Sequence, residues 1–137
     1  MIHKTYLTVR SYELDSYNHV NNAVYQNYLE HARMQFLNDN GFEYTKLIEM
    51  GFFIYVTHVD IKYKASARLN DNLIVETQSV MLKTVHGQFK QVIKKEDGTV
   101  CTEAYVDWAC VTHDGHPAKI PDGFMIEALV PEEVPKK

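Results

Sequence analysis

The sequence predicts an α+β domain in which one long helix packs on an antiparallel sheet, and three observations predict it. Apolar residues recur at helical spacing in a single window, from Tyr25 to Leu37. Later segments alternate apolar and polar residues and are punctuated by Asp-Gly turn signals. The apolar stripe of one helix needs a sheet face to bury it, and hairpin-linked strands supply an antiparallel one.

Taken in order, Thr5-Tyr6-Leu7-Thr8 is an alternating run of strand formers leading to Val9. A polar stretch follows, and then the period changes. Tyr25, Tyr28, Leu29, Ala32, Phe36 and Leu37 make one stripe; Asn21 or Asn22 suits the N-cap and Gly41 the stop, so a helix over about residues 22–40 is expected. Thr57, Val59, Ile61 and Tyr63 alternate with His58, Asp60, Lys62 and Lys64, which gives a further strand. Another opens at Leu73 and runs to about Leu82, and its partner, Gln88 to Lys95, follows a His86-Gly87 turn. Asp97-Gly98 reads as a two-residue hairpin into a strand from Thr99 to Thr112, with Val100, Ala104, Val106 and Trp108 on one face. Asp114-Gly115 marks the next turn, and the charged, Pro-containing tail after about residue 131 reads as frayed. The outcome is four or five long, mostly hairpin-linked strands. A sheet of this size does not leave both edges bare, so self-association is expected.

Residues 1–137 are one domain's worth of chain, enough to bury roughly 68% of the unfolded surface. A hydrophobic content of 45% against 23% charged residues argues for a folded globule. The net charge of −4 and the lack of any Lys/Arg run argue against a nucleic-acid partner. No window approaches the roughly 18 apolar residues of a membrane span, and the default compartment is the cytoplasm. Cys101 and Cys110 lie nine apart on one expected strand, roughly 30 Å at 3.3 Å per residue, too far for a disulfide. Their odd spacing points them to opposite faces.

The chain has no G-x-S-x-G elbow, no G-x-G-x-x-G, no Walker loop and no H-E-x-x-H. Its seven histidines form no zinc-type grouping; His113 and His116 flank a turn and read as solvated, so no metal is expected. Carboxylate chemistry remains. The stretch Asp15-Ser16-Tyr17-Asn18-His19-Val20-Asn21-Asn22 is, on its own, a strand-to-helix loop made of turn and cap residues. Two features point further. It holds more polar groups than one cap requires, and it places a carboxylate just before a helix whose free amides favour developing negative charge.

Val9-Arg10, Asp15, His19-Val20-Asn21-Asn22, Tyr25, Tyr28, Glu30 and Ala32-Arg33 together resemble the opening of hotdog-fold thioesterases, the acyl-CoA thioesterase family related to 4-hydroxybenzoyl-CoA thioesterase. Tyr63 to Asp71 resembles a family segment with Ser66 in place of its usual Pro, and Pro121 fits as well. The resemblance implies a long helix wrapped by a curved antiparallel sheet, edge-to-edge homodimers or tetramers with active sites at the dimer interface, and Asp15 as the catalytic carboxylate. Many bacterial members carry His where Asn22 stands, and the His-Val-Asn-Asn version is similar to plant acyl-carrier-protein thioesterases. Acyl-CoA is the expected substrate, with no separate cofactor. An acyl-carrier-protein thioesterase and a non-enzymatic dimeric acyl-CoA-binding module are the competing readings.

In such a site the amides near Asn22 and Ala23 would bind the oxyanion, and Asp15 would attack the thioester or activate water. His19 and Asn21 would position Asp15, water or substrate, or only cap the helix. Tyr25 would line an acyl pocket, although its spacing equally suits plain core. Glu30 and Arg33, three apart, suit a structural pair. Thr57 and His58 lie on a strand that could reach a neighbouring subunit's site. Lys62, Lys64 and Arg68 are the densest basic cluster, suited to CoA phosphates or to a solvated strand face.

Overall fold

Helix α1 covers Asn22–Asp39 and turns every member of its apolar stripe inward: Tyr25, Tyr28, Leu29, Ala32, Phe36 and Leu37 are all buried. Asn21 caps its start through Oδ1, which accepts the Ala23 N–H at 3.0 Å. Gly41, at φ +78°, ends it in the left-handed region that glycine enters without strain. The computed structural model describes residues 1–132. Of the tail expected to fray, residues 133–137 lie outside the described residues.

Five strands form one antiparallel sheet: β1 (His3–Thr8), β2 (Phe52–Tyr63), β3 (Asn72–Leu82), β4 (His86–Lys95) and β5 (Val100–Thr112), in the spatial order β1-β3-β4-β5-β2. Only β3-β4-β5 is a hairpin meander; β1 and β2 reach opposite edges by longer crossings, one of them through α1. Buried and half-buried residues alternate along β3, β4 and β5, as a sheet with one covered face requires. Register shifts at Val56/His58, Ser79/Met81 and Ile93/Lys94 insert bulges, and bulges bend strands, so the sheet curls around the helix. The core has two lobes. Tyr25, Tyr28, Leu29 and Ala32 meet Leu73, Val75, Ile93 and Ala104 near the helix start; Phe36 and Leu37 meet Phe89, Trp108, Ile120 and Leu129 near its end.

Several local expectations change. His86-Gly87 is not a turn: both residues belong to β4, and Lys83–Val85 makes the link. Glycine is needed at 87 for a different reason, because a Cβ there would stand 2.5 Å from the Trp108 indole. The next connection is longer than two residues: the Gly98 N–H returns to the Lys95 carbonyl, Gly98 sits at φ +89°, and β5 starts at Val100. The register shift opposite Ile93/Lys94 falls at Cys101. It turns Cys101 inward, into the lobe near the helix start, as Cys110 enters the lobe near its end, while Val100, opposite Lys94, leaves the face of Ala104, Val106 and Trp108. The two cysteines are therefore not on opposite faces; both are free and buried.

β2 starts at Phe52, well before its alternating half, because Phe52 to Val56 is a continuous apolar run without a period of two. A short helix, α2 (Tyr44–Glu49), precedes it and buries Leu47; no periodic signal announces six residues. The expected Glu30–Arg33 pair does not form. Arg33 donates instead to Gln91 Oε1 at 3.0 Å, and Gln91, fully buried, donates to the Leu29 carbonyl and to Thr77 Oγ1. Burial pushes the Arg33 guanidinium below its ordinary range.

Candidate active site

The loop that carries Asp15 is closed by its own side chain. Leu14 and Val20 form a β-bridge, and inside it the Asp15 N–H donates to the His19 carbonyl at 2.7 Å. Asn18 takes φ +60°, tolerable for Asn, to complete the turn. Asp15 Oδ1 accepts the Tyr17 N–H at 2.8 Å and the His19 N–H at 3.1 Å. Oδ2 accepts from no described residue. One carboxylate oxygen thus holds the loop, and the other is free for chemistry.

The bridge folds Asp15 back beside the start of α1, since Val20 lies two residues before Asn22. Here the amides are unequally employed. Ala23 N–H is committed to the Asn21 cap and Val24 N–H to the Asn21 carbonyl, so Ala23 is not the free donor expected of it. The exposed Asn22 N–H donates to no described residue and lies at the positive end of the helix dipole. Tyr63, at the end of β2, donates its O–H to the Asn22 carbonyl at 3.2 Å and fixes this residue from the sheet side.

Residues 64–71 close the other wall. The Val20 N–H donates to the Ala67 carbonyl at 3.0 Å, and His19 bridges Arg68. Tyr25 is 3% exposed; its hydroxyl accepts the Ala67 N–H at 2.9 Å, and its ring meets Tyr63 edge-on at 5.6 Å. Burial above all, with the charge of Asp15 among the lesser causes, pushes the Tyr25 phenol up. Tyr25 is a core and wall residue here. The His19 imidazole, half-buried, makes no hydrogen bond to a described residue.

The remaining predicted residues are not gathered at this point within one chain. Thr57 is the extra residue of the β2 bulge, and His58 pairs with Asp107 on the outward face. Lys62 also stands opposite Glu103, the carboxylate that Lys64 holds at 3.1 Å, so these lysines have a partner of their own. Only Arg68 of the basic cluster reaches the loop. Farther along α1, the helix and β2 leave a cleft of about 270 Å³ lined by Gln26, Asn27, Leu29, Glu30, Arg33, Val56 and Val59, none of them a residue of the Asp15 loop. Among the described residues, no three His, Cys, Asp or Glu side chains converge as a metal site would require.

Glu13 escaped the sequence reading, although it stands three residues after Arg10 and two before Asp15. It is 6% exposed. Its Oε1 accepts the Arg10 N–H at 2.7 Å and the Tyr28 O–H at 2.9 Å, and its Oε2 accepts Arg10 Nη2 at 2.8 Å. Burial alone would raise the Glu13 carboxyl; the bonds from Arg10 and Tyr28 outweigh it and hold the group below its ordinary range. Conversely, burial and the Glu13 carboxylate push the Tyr28 phenol far up.

Comparison with known proteins places this geometry. A family model described as the thioesterase-like superfamily matches residues 9–128. The long-chain acyl-CoA thioesterase FadM of Escherichia coli K12 is 34% identical over 128 residues, 92% of this chain and 96% of that protein. A chloroplastic acyl-acyl carrier protein thioesterase of Arabidopsis thaliana is 34% identical over 93 residues, 68% of this chain and 50% of that protein. The crystal structure of a probable thioesterase from Bartonella henselae superposes with a TM-score of 0.83 at 26% identity, covering 88% of this chain and all of that one. The curved five-stranded sheet around one long helix is the hotdog arrangement of these proteins.

Proposed function

The chain belongs to the thioesterase-like superfamily and is a thioester hydrolase, and from that premise we propose that it releases a carboxylic acid and free thiol from acyl-CoA, with Asp15 as the reacting carboxylate. The observation that carries the assignment of Asp15 is an Oδ2 without a partner among the described residues, on a loop that its own Oδ1 and the Leu14–Val20 bridge close just before the unengaged Asn22 amide. The thioester carbonyl oxygen would accept the Asn22 N–H as negative charge develops; one such donor is typically worth about 2.7–4 kcal/mol. Asp15 Oδ2 then either attacks the carbonyl carbon, expelling the CoA thiolate and leaving a mixed anhydride that water opens, or takes a proton from an attacking water. Single turnover in ¹⁸O-water separates the two, because only the anhydride route can place label in the Asp15 carboxyl.

The edge strand β2 exposes Tyr55, Val56 and Tyr63, and a second copy pairing there would bring its Thr57 and His58 towards this site. Arg68, next to His19, is the basic residue best placed for a CoA phosphate. Asn22, at the position that aligns the His-Val-Asn-Asn segment with the plant enzymes, favours testing acyl-carrier protein beside CoA. No helix among the described residues is long and apolar enough to cross a membrane. The two unpaired cysteines suit a reducing compartment such as the cytoplasm.

The test is a thiol-release screen over acyl-CoAs and acyl-carrier protein with wild type and Asp15→Asn. Asn keeps the Oδ1 acceptor and removes the charge, so the fold should stand while turnover falls by about 10²-fold or more. Equal turnover in the two proteins refutes the role of Asp15.

A further inference from the structure

Three attachments meet at Glu13, two of them to the helix. Its side chain reaches Tyr28, on the second turn of α1; its carbonyl accepts the N–H of Asn21, the cap residue of the same helix, at 3.0 Å; and its N–H returns to the Arg10 carbonyl at 3.0 Å. The Asp15 loop springs from the residue that follows it. The far end of that loop, at Val20, is secured separately, by the Leu14 bridge and the Ala67 carbonyl. Removing the Glu13 side chain would leave the loop closed, the helix folded and the backbone bond to Asn21 in place, but the second turn of the helix would lose its tie to the residues that lead into Asp15. We propose that Glu13 is a positioning residue for catalysis, setting Asp15 Oδ2 and the Asn22 amide at the separation one thioester carbonyl needs.

The chemistry of the contacts supports a carboxylate in this role. A buried ion survives only when its lone pairs are filled, and here two N–H groups and one O–H fill three of them. Two of these bonds come from one residue, Arg10, whose guanidinium and amide grip opposite oxygens, so the carboxylate plane cannot rotate without breaking one. That rigidity is passed to Tyr28 and hence to the helix. Neither Glu13 nor Tyr28 needs to touch substrate; displacement of reacting groups by about 1 Å is enough to cost a rate on the order of 10²-fold.

The inference rests on Asp15 being the reacting carboxylate, and the experiment separates the two ideas. Steady-state kcat and KM on acyl-CoA are measured for wild type, Glu13→Gln, Tyr28→Phe, Asp15→Asn and the double variant Glu13→Gln/Asp15→Asn, well below each protein's thermal midpoint. Gln keeps an oxygen for the Arg10 N–H and Tyr28 O–H but sets an NH₂ against the guanidinium; Phe deletes a single bond and guards against a Gln variant that does not fold. The expected result is a kcat lowered about tenfold or more in Glu13→Gln, less in Tyr28→Phe, with KM little changed, and a double variant no slower than Asp15→Asn. Wild-type kcat in folded Glu13→Gln and Tyr28→Phe overturns the proposal, as does a double variant in which the two losses multiply. Wild-type turnover in Asp15→Asn overturns the reading of Asp15, and the positioning role with it.

Discussion

Gly87→Ala tests whether close packing, and not turn geometry, selects glycine at this position. Built on the existing backbone, the new methyl carbon would stand 2.5 and 2.7 Å from two indole carbons of Trp108 and 2.8 Å from the Met81 carbonyl oxygen. Carbon atoms are comfortable at about 3.5–4.0 Å, so the ring would have to retreat by about 1 Å. It has little room: Trp108 is 3% exposed, and the void beside it, shared with Leu37, Phe42, Ile54, Phe89 and Leu129, is only about 20 Å³. The Met81 oxygen belongs to backbone paired with β4 at a register shift and is no freer. The cost should therefore fall in the upper part of the overpacking range, about 2–3 kcal/mol. For a domain of this length that is a thermal midpoint lower by roughly 8–12 °C. Urea unfolding gives the free energy directly, and Gly41→Ala is the control: φ is +78° with nothing within 4 Å of the added carbon, so only the backbone cost of about 1 kcal/mol applies. A Gly87→Ala protein within about 0.5 kcal/mol of wild type would refute the packing argument.

Other outcomes follow from the site's bonds. Asp15→Ala removes the acceptor of the Tyr17 and His19 amides and should destabilise by about 1 kcal/mol relative to Asp15→Asn, which keeps it; equal urea midpoints would show that the loop does not depend on that oxygen. Tyr25→Phe strands the Ala67 amide and should cost about 1–3 kcal/mol, with faster hydrogen exchange at Ala67; unchanged exchange would contradict it. Because Glu13 is held below its unfolded pKa, the unfolded chain binds the extra proton and stability rises with pH through that interval. Its contribution is complete above an unfolded value of about 4.3 and is lost as pH falls through the lower folded value. Subtracting the Glu13→Gln stability curve from that of wild type should show this acid limb, and a flat difference would dispose of it.

The parts of the fold legible in the sequence were those written in a strict period. The stripe from Tyr25 to Leu37 and the alternation of β3, β4 and β5 each repeat a burial requirement, so pattern alone located them. Asp15 stood out because a carboxylate, a cap and an apolar helix share one short segment that resembles the family's opening, and its reacting role is a proposal. What escaped depends on partners distant in sequence. Gly87 mimicked a turn residue because its reason lies on Trp108, and Cys101 was assigned the wrong face because a bulge interrupts the count. Arg33 turned from Glu30 to Gln91, 58 residues away, for a bond that helical spacing cannot foresee. Glu13 was passed over for the same reason: its meaning comes from Tyr28, fifteen residues on, and from the burial that makes an ordinary acidic residue rigid.

The order β1-β3-β4-β5-β2 also bears on how the enzyme comes into being. The central three strands are joined by short links and can zip up from local encounters, whereas His3 must find Thr77 and Phe52 must find Thr112. The meander is thus expected to form as an early platform, with the amino-terminal half of the chain settling on it afterwards. The proposed site residues Asp15 and Asn22, with Tyr63, all lie in that half, so hydrolytic activity should lag behind the first protected amides of β3, β4 and β5 during refolding.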